Sequence, residues 1–528
     1  MDRSTACLLA LACVSVADAR GQEIERQWFG DTANQQFGTT LAWVGDVNAD
    51  GFIDIGIGAP ADSTTFTGAG MLRVVSGADG SVLYTFYGDG KDAGLGNVGH
   101  AVGDIDLDGY DDVLVSEPHH GWPSSVGRVF VFSGKDGSIL RQIDGSTSLV
   151  LDGPVCGTDD IDGDGVPDFA VGSRTREIPI FSGATSAVIR TLQPVNAGTS
   201  YFGNGILDPG DIDGDGVSDL FVLQDGCYSG YIKYSSYQPQ NFIYCFSGKT
   251  GATIWQAANV FHCPFGFHWA NALSPTVIGD INGDGVPDIA MGSSTWDPSF
   301  GTTGFVTCLS GKDGAQLLFV FQPVFGGKYV WTQFARAVAA AGDVDGDGIP
   351  DFAASDTRLS DDPHGDVFFY SGVDGTLLFH VGGTASAAHF GSALVGGIDP
   401  DGDGRLDMVI GDDEDATNGG LAGAATLVRF EPLVLDAYYR YRPIQGGSMQ
   451  ITVLGGPPGN PLGLFLVGWN STPYFNLLAL DTFDAHRMSQ HWWNVPTGLK
   501  GIVVQLQAYA IDGAGHVVAS NVENVTFP

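Results

Sequence analysis

Seven nine-residue phrases in this chain carry aspartate or asparagine at positions 1, 3 and 5, glycine at 6 and aspartate at 9. Packed this closely, like charges repel, and seven uncompensated clusters would oppose folding. A sharp turn at the glycine lets alternate side chains converge on one point. Oxygen donors from positions 1, 3, 5 and 9, with the backbone carbonyl of position 7, suit a hard cation of flexible geometry. That describes calcium better than magnesium, which needs a near-ideal octahedron and keeps its waters. An EF-hand is excluded, because the flanks are strand-like and no glutamate stands at position 12.

The expected ligands of the first two loops are Asp46, Asn48, Asp50, Phe52 and Asp54, then Asp104, Asp106, Asp108, Tyr110 and Asp112. The third and fourth loops offer Asp160, Asp162, Asp164, Val166 and Asp168, then Asp211, Asp213, Asp215, Val217 and Asp219. In the fifth and sixth they are Asp280, Asn282, Asp284, Val286 and Asp288, then Asp343, Asp345, Asp347, Ile349 and Asp351. The seventh loop adds Asp399, Asp401, Asp403, Arg405 and Asp407. Phe52, Tyr110, Val166, Val217, Val286, Ile349 and Arg405 enter only through their carbonyls. Asn48 and Asn282 keep an oxygen donor while trimming one charge. Up to seven Ca2+ ions are expected, mainly in a structural role.

The elements that position these loops repeat with them. Start-to-start spacing is 51 to 69 residues, enough for a four-stranded sheet each time. A short apolar segment such as "TTLAWVG" precedes each loop, and another such as "IDIGIGAP" follows. A third segment leads to a tight turn: "SGADG" at 76–80, "SGKDG" at 133–137 and 310–314, "SGKTG" at 247–251, "SGVDG" at 371–375. Glycine-bearing turns between apolar runs signal hairpins, because they accept positive φ. A fourth segment follows, as in "SVLYTFYG". Seven such units predict a seven-bladed β-propeller.

The seventh unit lacks its fourth strand. "AATLVRFEP" (424–432) is its third, and no hairpin turn follows. The N-terminal "GQEIERQWFGDTANQQFG" (21–38) has the layout of "GTLLFHVGGTASAAHFG" (375–391). The segment Ile24 to Phe29 is therefore expected to close blade seven, which would protect the sheet edges.

"FG" at 37–38, 202–203 and 390–391, nine residues before a loop, and "GAP" at 58–60 complete the pattern. On these residues the chain resembles the FG-GAP repeats of integrin α-subunit propellers and their bacterial relatives, over roughly residues 22–431. The resemblance implies a seven-bladed propeller with a cation loop between the first two strands of each blade. "LG" at 95–96, "LD" at 151–152 and "SEP" at 116–118 depart from it, which weakens any transfer of integrin partners. The expected fold is all-β: a propeller closed by an N-terminal strand, followed by a small C-terminal β-sandwich.

The ends of the chain read differently. "MDRSTACLLALACVSVADAR" has an apolar stretch too short for a bilayer and a small-residue "ADA" cleavage site, so residues 1–19 read as a secretory signal. No later run is long enough for a transmembrane helix. The expected location is therefore secreted, periplasmic or cell-surface. The propeller is assigned to 20–431 and the sandwich to 432–528, where "SMQITVLGG", "PLGLFLVGW", "YFNLLALD", "GIVVQLQAYAIDG" and "HVVASNVENVTF" alternate like strands. The tail resembles C-terminal modules of other secreted bacterial proteins and reads as a spacer or attachment module. Of seven cysteines, Cys7 and Cys13 leave with the signal, and an odd number remains, so no disulfide framework is implied. Cys227 and Cys263 form the one pair worth considering. Cys245 and Cys308, at equivalent third-strand positions, should be too far apart to bridge.

A formal net charge of -38 speaks against nucleic acid, which needs a basic footprint. In an up-and-down blade the cation loops and hairpin turns share one face of the ring. The other face collects long loops rich in Tyr228, Tyr231, Tyr234, Tyr237, Phe265, Phe267, Trp269, Trp296, Tyr329 and Trp331. Recognition sits on such loops more often than on the scaffold. The expected function is binding or adhesion to a glycan or an extracellular protein. The alternative is a calcium-dependent polysaccharide lyase or hydrolase with His119, His120, His262 or His268 as base and Trp269 or Trp296 stacking on sugar rings. No catalytic motif accompanies those histidines, and loop histidines are more often solvated than catalytic.

Overall fold

Each repeat folds as the apolar alternation dictates. The computed structural model describes residues 23–121, 125–173, 177–195, 201–225, 242–258, 275–297, 301–321, 333–357, 365–383, 389–400 and 406–429, and beyond these the strands of the C-terminal part. The signal segment, most aromatic loops, Cys227, Cys263, His262, His268 and the ligands Asp401, Asp403 and Arg405 lie outside the described residues.

Strand β1 is Glu23–Phe29. Blade one comprises β2 (Thr40–Trp43), β3 (Ile55–Ala59), β4 (Met71–Val75) and β5 (Val82–Tyr87). Blade two comprises β6 (Gly99–Gly103), β7 (Asp112–Glu117), β8 (Arg128–Phe132) and β9 (Ile139–Asp144). Blade three comprises β10 (Val155–Thr158), β11 (Asp168–Val171), β12 (Ile178–Phe181) and β13 (Val188–Leu192). In blade four the strands are β14 (Tyr201–Gly210), β15 (Asp219–Asp225), β16 (Phe242–Phe246) and β17 (Thr253–Ala258). In blade five they are β18 (Thr276–Gly279), β19 (Asp288–Asp297), β20 (Gly301–Leu309) and β21 (Gln316–Phe321). Blade six has β22 (Phe334–Gly342), β23 (Asp351–Asp356), β24 (Asp366–Tyr370) and β25 (Leu377–Gly382). Blade seven has β26 (Phe390–Ile398), β27 (Asp407–Asp412) and β28 (Ala424–Arg429).

Blades one to six pair their four strands in chain order, all antiparallel, and the remaining sheet runs β1-β28-β27-β26. Middle strands such as β3, β8, β12 and β24 are buried along their whole length, while the fourth strands β5 and β9 are largely open to solvent. This gradient follows from stacking: middle strands have a neighbouring blade on each face. The core is accordingly divided among the blade interfaces. Val74, Phe86, Val113 and Phe132 join blades one and two; Ile55, Ile57, Met71, Val409 and Leu427 join blades one and seven. Seven interfaces of this kind complete an all-β, seven-bladed propeller.

Two features of the blades escape a reading of the sequence. Blade three has the hairpin of its neighbours although "SGATS" lacks the last glycine: Ser186 takes φ 60 there and donates its N–H to Ser182 O at 2.7 Å. Blade six has its own version of the "FG" pair, Phe334 fully buried and Ala335 at φ 58.

Beyond the propeller, β29 (Val434–Tyr438), β30 (Ser448–Leu454), β31 (Pro461–Trp469), β32 (Thr472–Thr482), β33 (Met488–Asn494), β34 (Val503–Ile511) and β35 (Val517–Thr526) form two sheets, β29-β30-β33 and β32-β31-β34-β35. Five of these strands match the segments read from the sequence; β29 and β33 are additional. Among the described residues there is no helix, and none long and apolar enough to cross a membrane. Cys156, Cys245 and Cys308 are free and buried. Their thiols are pushed well up by burial, so they behave as small apolar side chains.

Candidate metal centres

The cation loops connect the first and second strands of each blade. The position-1 carboxylate organises each described turn. Asp46 accepts the N–H groups of Asp50 and Gly51 at 3.0 and 2.8 Å, and Asp104 does the same with Asp108 and Gly109. Asp160, Asp211 and Asp280 each accept a third amide, from Gly163, Gly214 and Gly283, all at 2.7 Å. Amides of Gly216 hold the Asp211 carboxyl below its usual range; at Asp280 burial works the other way, but the amides of Gly285, Gly283 and Asp284 prevail. Position 5 accepts the N–H of position 7, as in Asp50 with Phe52 and Asp164 with Val166. Oδ1 of Asp160, Asp211 and Asp280 takes two of these amides, while Oδ2 of each takes one and keeps a further lone pair.

Three carboxylates converge, each offering an oxygen within 4.8 Å of the others, in four loops: Asp104–Asp106–Asp108, Asp160–Asp162–Asp168, Asp211–Asp213–Asp219 and Asp343–Asp345–Asp347. The first and fifth loops have the same turn with Asn48 and Asn282 supplying the amide oxygen, which accepts the N–H of Asp50 and Asp284 at 2.9 Å. The seventh is represented by Asp399 and Asp407 alone. An oxygen-only donor set on a glycine turn fits a hard divalent cation, and these clusters could hold one.

The aspartate at position 9 has a second task. In all six loops of blades one to six, its Oδ2 accepts the N–H of position 2 at 2.7 to 2.9 Å, at Val47, Ile105, Ile161, Ile212, Ile281 and Val344. Its Oδ1 accepts an N–H from the hairpin between strands three and four at 3.0 to 3.1 Å, from Gly77, Gly134, Gly183, Gly248, Gly311 and Gly372. These hairpin glycines are required by close approach. A Cβ on Gly77 would stand 2.0 Å from Ile53 O, and on Gly248 1.8 Å from Ser218 O. One buried carboxylate thus ties the cation loop to the neighbouring turn. Blade seven has no such turn, and Arg429 Nε lies 4.0 Å from Asp407 Oδ1.

Burial, opposed by those same amides, lifts the position-9 carboxyls: Asp54 and Asp112 to about 7, Asp351 to about 8 with Asp345 adding repulsion. A carboxyl raised from an unfolded value of about 3.9 binds its proton more tightly when folded, so that contribution is present below pH 4 and is lost as pH rises to the folded value. In chelator, the melting temperature is therefore expected to fall between about pH 5 and 8. Saturating calcium should flatten or reverse that slope, since the cation favours the charged carboxylates. Thermal melts across this window, with and without cation, would overturn the assignment if the cation-free protein became more stable with rising pH.

On the opposite face, β7 runs from Asp112 at its cation loop to Glu117 at the far end, where His119 and His120 follow. His120 is not the solvated loop histidine expected: three quarters of its side chain is covered, and Nδ1 lies 2.9 Å from Glu117 Oε2. Trp296, expected in a long loop, instead lies on strand β19 opposite Thr302, because the two strands extend until residues 298–300 alone join β19 to β20.

No family model matches the chain. Integrin alpha-5 of Xenopus laevis is 27% identical over 235 residues, covering 39% of this chain and 21% of that protein. Integrin alpha-6 of Gallus gallus is 29% identical over 176 residues, 31% of this chain and 16% of the relative. Integrin alpha pat-2 of Caenorhabditis briggsae is 34% identical over 165 residues, 26% of this chain and 13% of the relative. The chain thus spans 13 to 21% of the length of these relatives. Partial similarity to integrin α-subunits and the seven-bladed ring together support an integrin-α-like propeller.

Proposed function

We propose that this chain is a secreted binding or adhesion protein, recognising a glycan or an extracellular protein through the propeller face opposite its cation loops. The observation that carries this reading is the division of labour between faces. One face is occupied by repeated acidic turns locked to hairpins by buried aspartates, a scaffold arrangement. The strand ends on the other are joined by the 2–3 connection of blade four (226–241) and by the 4–1 connections that follow blades four and five (259–275 and 322–333), whose sequence is rich in Tyr, Trp and Phe. Similarity to integrin α-subunits supports adhesion over catalysis.

In the same proposal residues 1–19 are an export signal, 20–431 the propeller and 432–528 a β-sandwich for spacing or attachment. Calcium fills the seven loops through the aspartates and asparagines of positions 1, 3, 5 and 9, with a structural role. Strand β1 closes blade seven, a reading supported by its pairing from Glu23↔Arg429 to Phe29↔Ala424.

The test is a glycan and extracellular-protein array probed with the calcium-loaded chain, followed by Trp269→Ala and Trp296→Ala. Loss of ligand affinity of tenfold or more at unchanged melting temperature is expected, because stacked aromatics at an interface centre carry a large share of binding energy. Unchanged affinity in both variants would place recognition elsewhere. Calcium-dependent turnover of acidic polysaccharides would favour the enzymatic reading instead.

A further inference from the structure

We propose that Asp89, Glu117 and His120 form a transition-metal site of the zinc class, separate from the calcium loops and on the opposite face of the ring. Asp89 lies in the connection from blade one to blade two, Glu117 ends β7, and His120 belongs to the 2–3 loop of blade two. Their donor atoms all lie within 4.8 Å of one another.

The second observation is a buried donor pair without hydrogen bonds. Glu117 is wholly buried, and its Oε2 has no hydrogen-bond partner; nor does the buried Nδ1 of His120. The two atoms are 2.9 Å apart, yet they do not meet in hydrogen-bonding geometry. Buried polar atoms are rarely left so, because the loss of hydration is uncompensated. A cation bound by both atoms would satisfy both at once.

The spacing agrees. Donors about 2.0 Å from a tetrahedral zinc ion lie about 3.3 Å apart. Here the separations from His120 Nδ1 are 2.9 Å to Glu117 Oε2 and 3.7 Å to Asp89 Oδ1, on either side of that value. The other oxygens are already held in place. Asp89 N donates to Glu117 Oε1 at 3.3 Å, and Arg128 Nη1 donates to Asp89 Oδ2 at 2.6 Å while its Nε holds Asp144. Arg128 is thereby drawn toward Asp89 and Asp144, 3.9 Å from Glu117 Oε2, and orients the carboxylate from outside the site. One imidazole nitrogen with two carboxylate oxygens selects a borderline metal, whereas the oxygen-only loops select calcium. A bound ion would also fasten blade one to blade two.

The full chain, held in excess calcium, is titrated with Zn2+ alone by calorimetry, and its zinc shell is read by X-ray absorption. One equivalent is expected to bind, with one imidazole in a nitrogen/oxygen shell at about 2.0 Å. Glu117→Gln and His120→Asn should each weaken it tenfold or more, with calcium content unchanged. An oxygen-only shell on the wild-type protein would mean that zinc has entered an acidic loop and would overturn the site, whatever the variants do. So would the absence of zinc binding in calcium, or full affinity retained in both variants.

Discussion

Removing divalent cations with a chelator should lower the melting temperature by on the order of 10 °C or more at neutral pH. Each loop gathers three or four oxygen donors of like charge around a glycine turn, and the position-9 carboxylate beneath them is buried. Without a cation that charge is held in place, among the described residues, mainly by backbone amides, with Lys135 beside Asp108 in the second loop. A ligand that binds the folded state alone, at a hundred times its dissociation constant, adds about 2.7 kcal/mol per site. For a propeller of roughly 400 residues that is about 3 °C per site, so several loops acting together give a large shift. Differential scanning calorimetry in calcium and in chelator reads it directly. Coincident transitions would remove the loops as cation sites. They would leave the position-9 aspartates with the structural task alone, holding hairpins such as the one that begins at Gly77.

The blades were legible in the sequence because each depends on residues close together. Asp46 reaches Gly51 within one turn, and alternate apolar residues such as Ile55 and Ile57 mark a buried strand without reference to anything distant. Legibility failed where another residue type carried the same backbone conformation. Ser186 and Ala335 both stand at positive φ, so the hairpin of blade three and the "FG" pair of blade six do not spell themselves out. In the same way, Leu95 and Leu151, fully buried, serve where Phe37 and Phe202 serve elsewhere.

The double use of position 9 was hidden for a different reason. Asp54 binds the amide of Gly77, 23 residues on, and an amide donor has no signature in the sequence. Spacing alone counts Asp54 as one ligand among five; the fold also makes it the pin between two turns. The Asp89–Glu117–His120 cluster is harder still. Its members come from a connection, a strand end and a loop, and only the stacking of blade two on blade one brings Asp89 to Glu117. By contrast, the absence of a bridge between Cys245 and Cys308 follows from sheet spacing alone, and both thiols are free.

Deleting residues 20–30 should destabilise the propeller by several kcal/mol and cause aggregation, whereas deleting 435–528 should leave the ring folded. Strand β1 pairs with β28 along its length, so its loss would bare the outer edge of blade seven. Its side chains also reach the next blade. Arg26 donates to Gly77 O and Ala78 O at 2.8 and 2.9 Å, and Trp28 Nε1 donates to Gly80 O at 2.9 Å, all in the hairpin of blade one. The fourth strands elsewhere do the same: Arg141 on β9 donates to Gly183 O and Ala184 O of blade three, and Trp255 on β17 to Gly311 O of blade five. In each case an outer strand grips the hairpin of the following blade, so β1 has the contacts of a fourth strand in blade seven. Trp28 is also 9% exposed among Ile55, Met71 and Leu427, and losing a buried tryptophan typically costs about 3–5 kcal/mol. The hydrogen bonds and the β28 edge add to that. Thermal melts and light scattering of the two truncated chains, both in excess calcium, separate the contributions. If the chain without residues 20–30 melts with the intact protein and stays monodisperse, the ring does not depend on β1 and the closure is wrong.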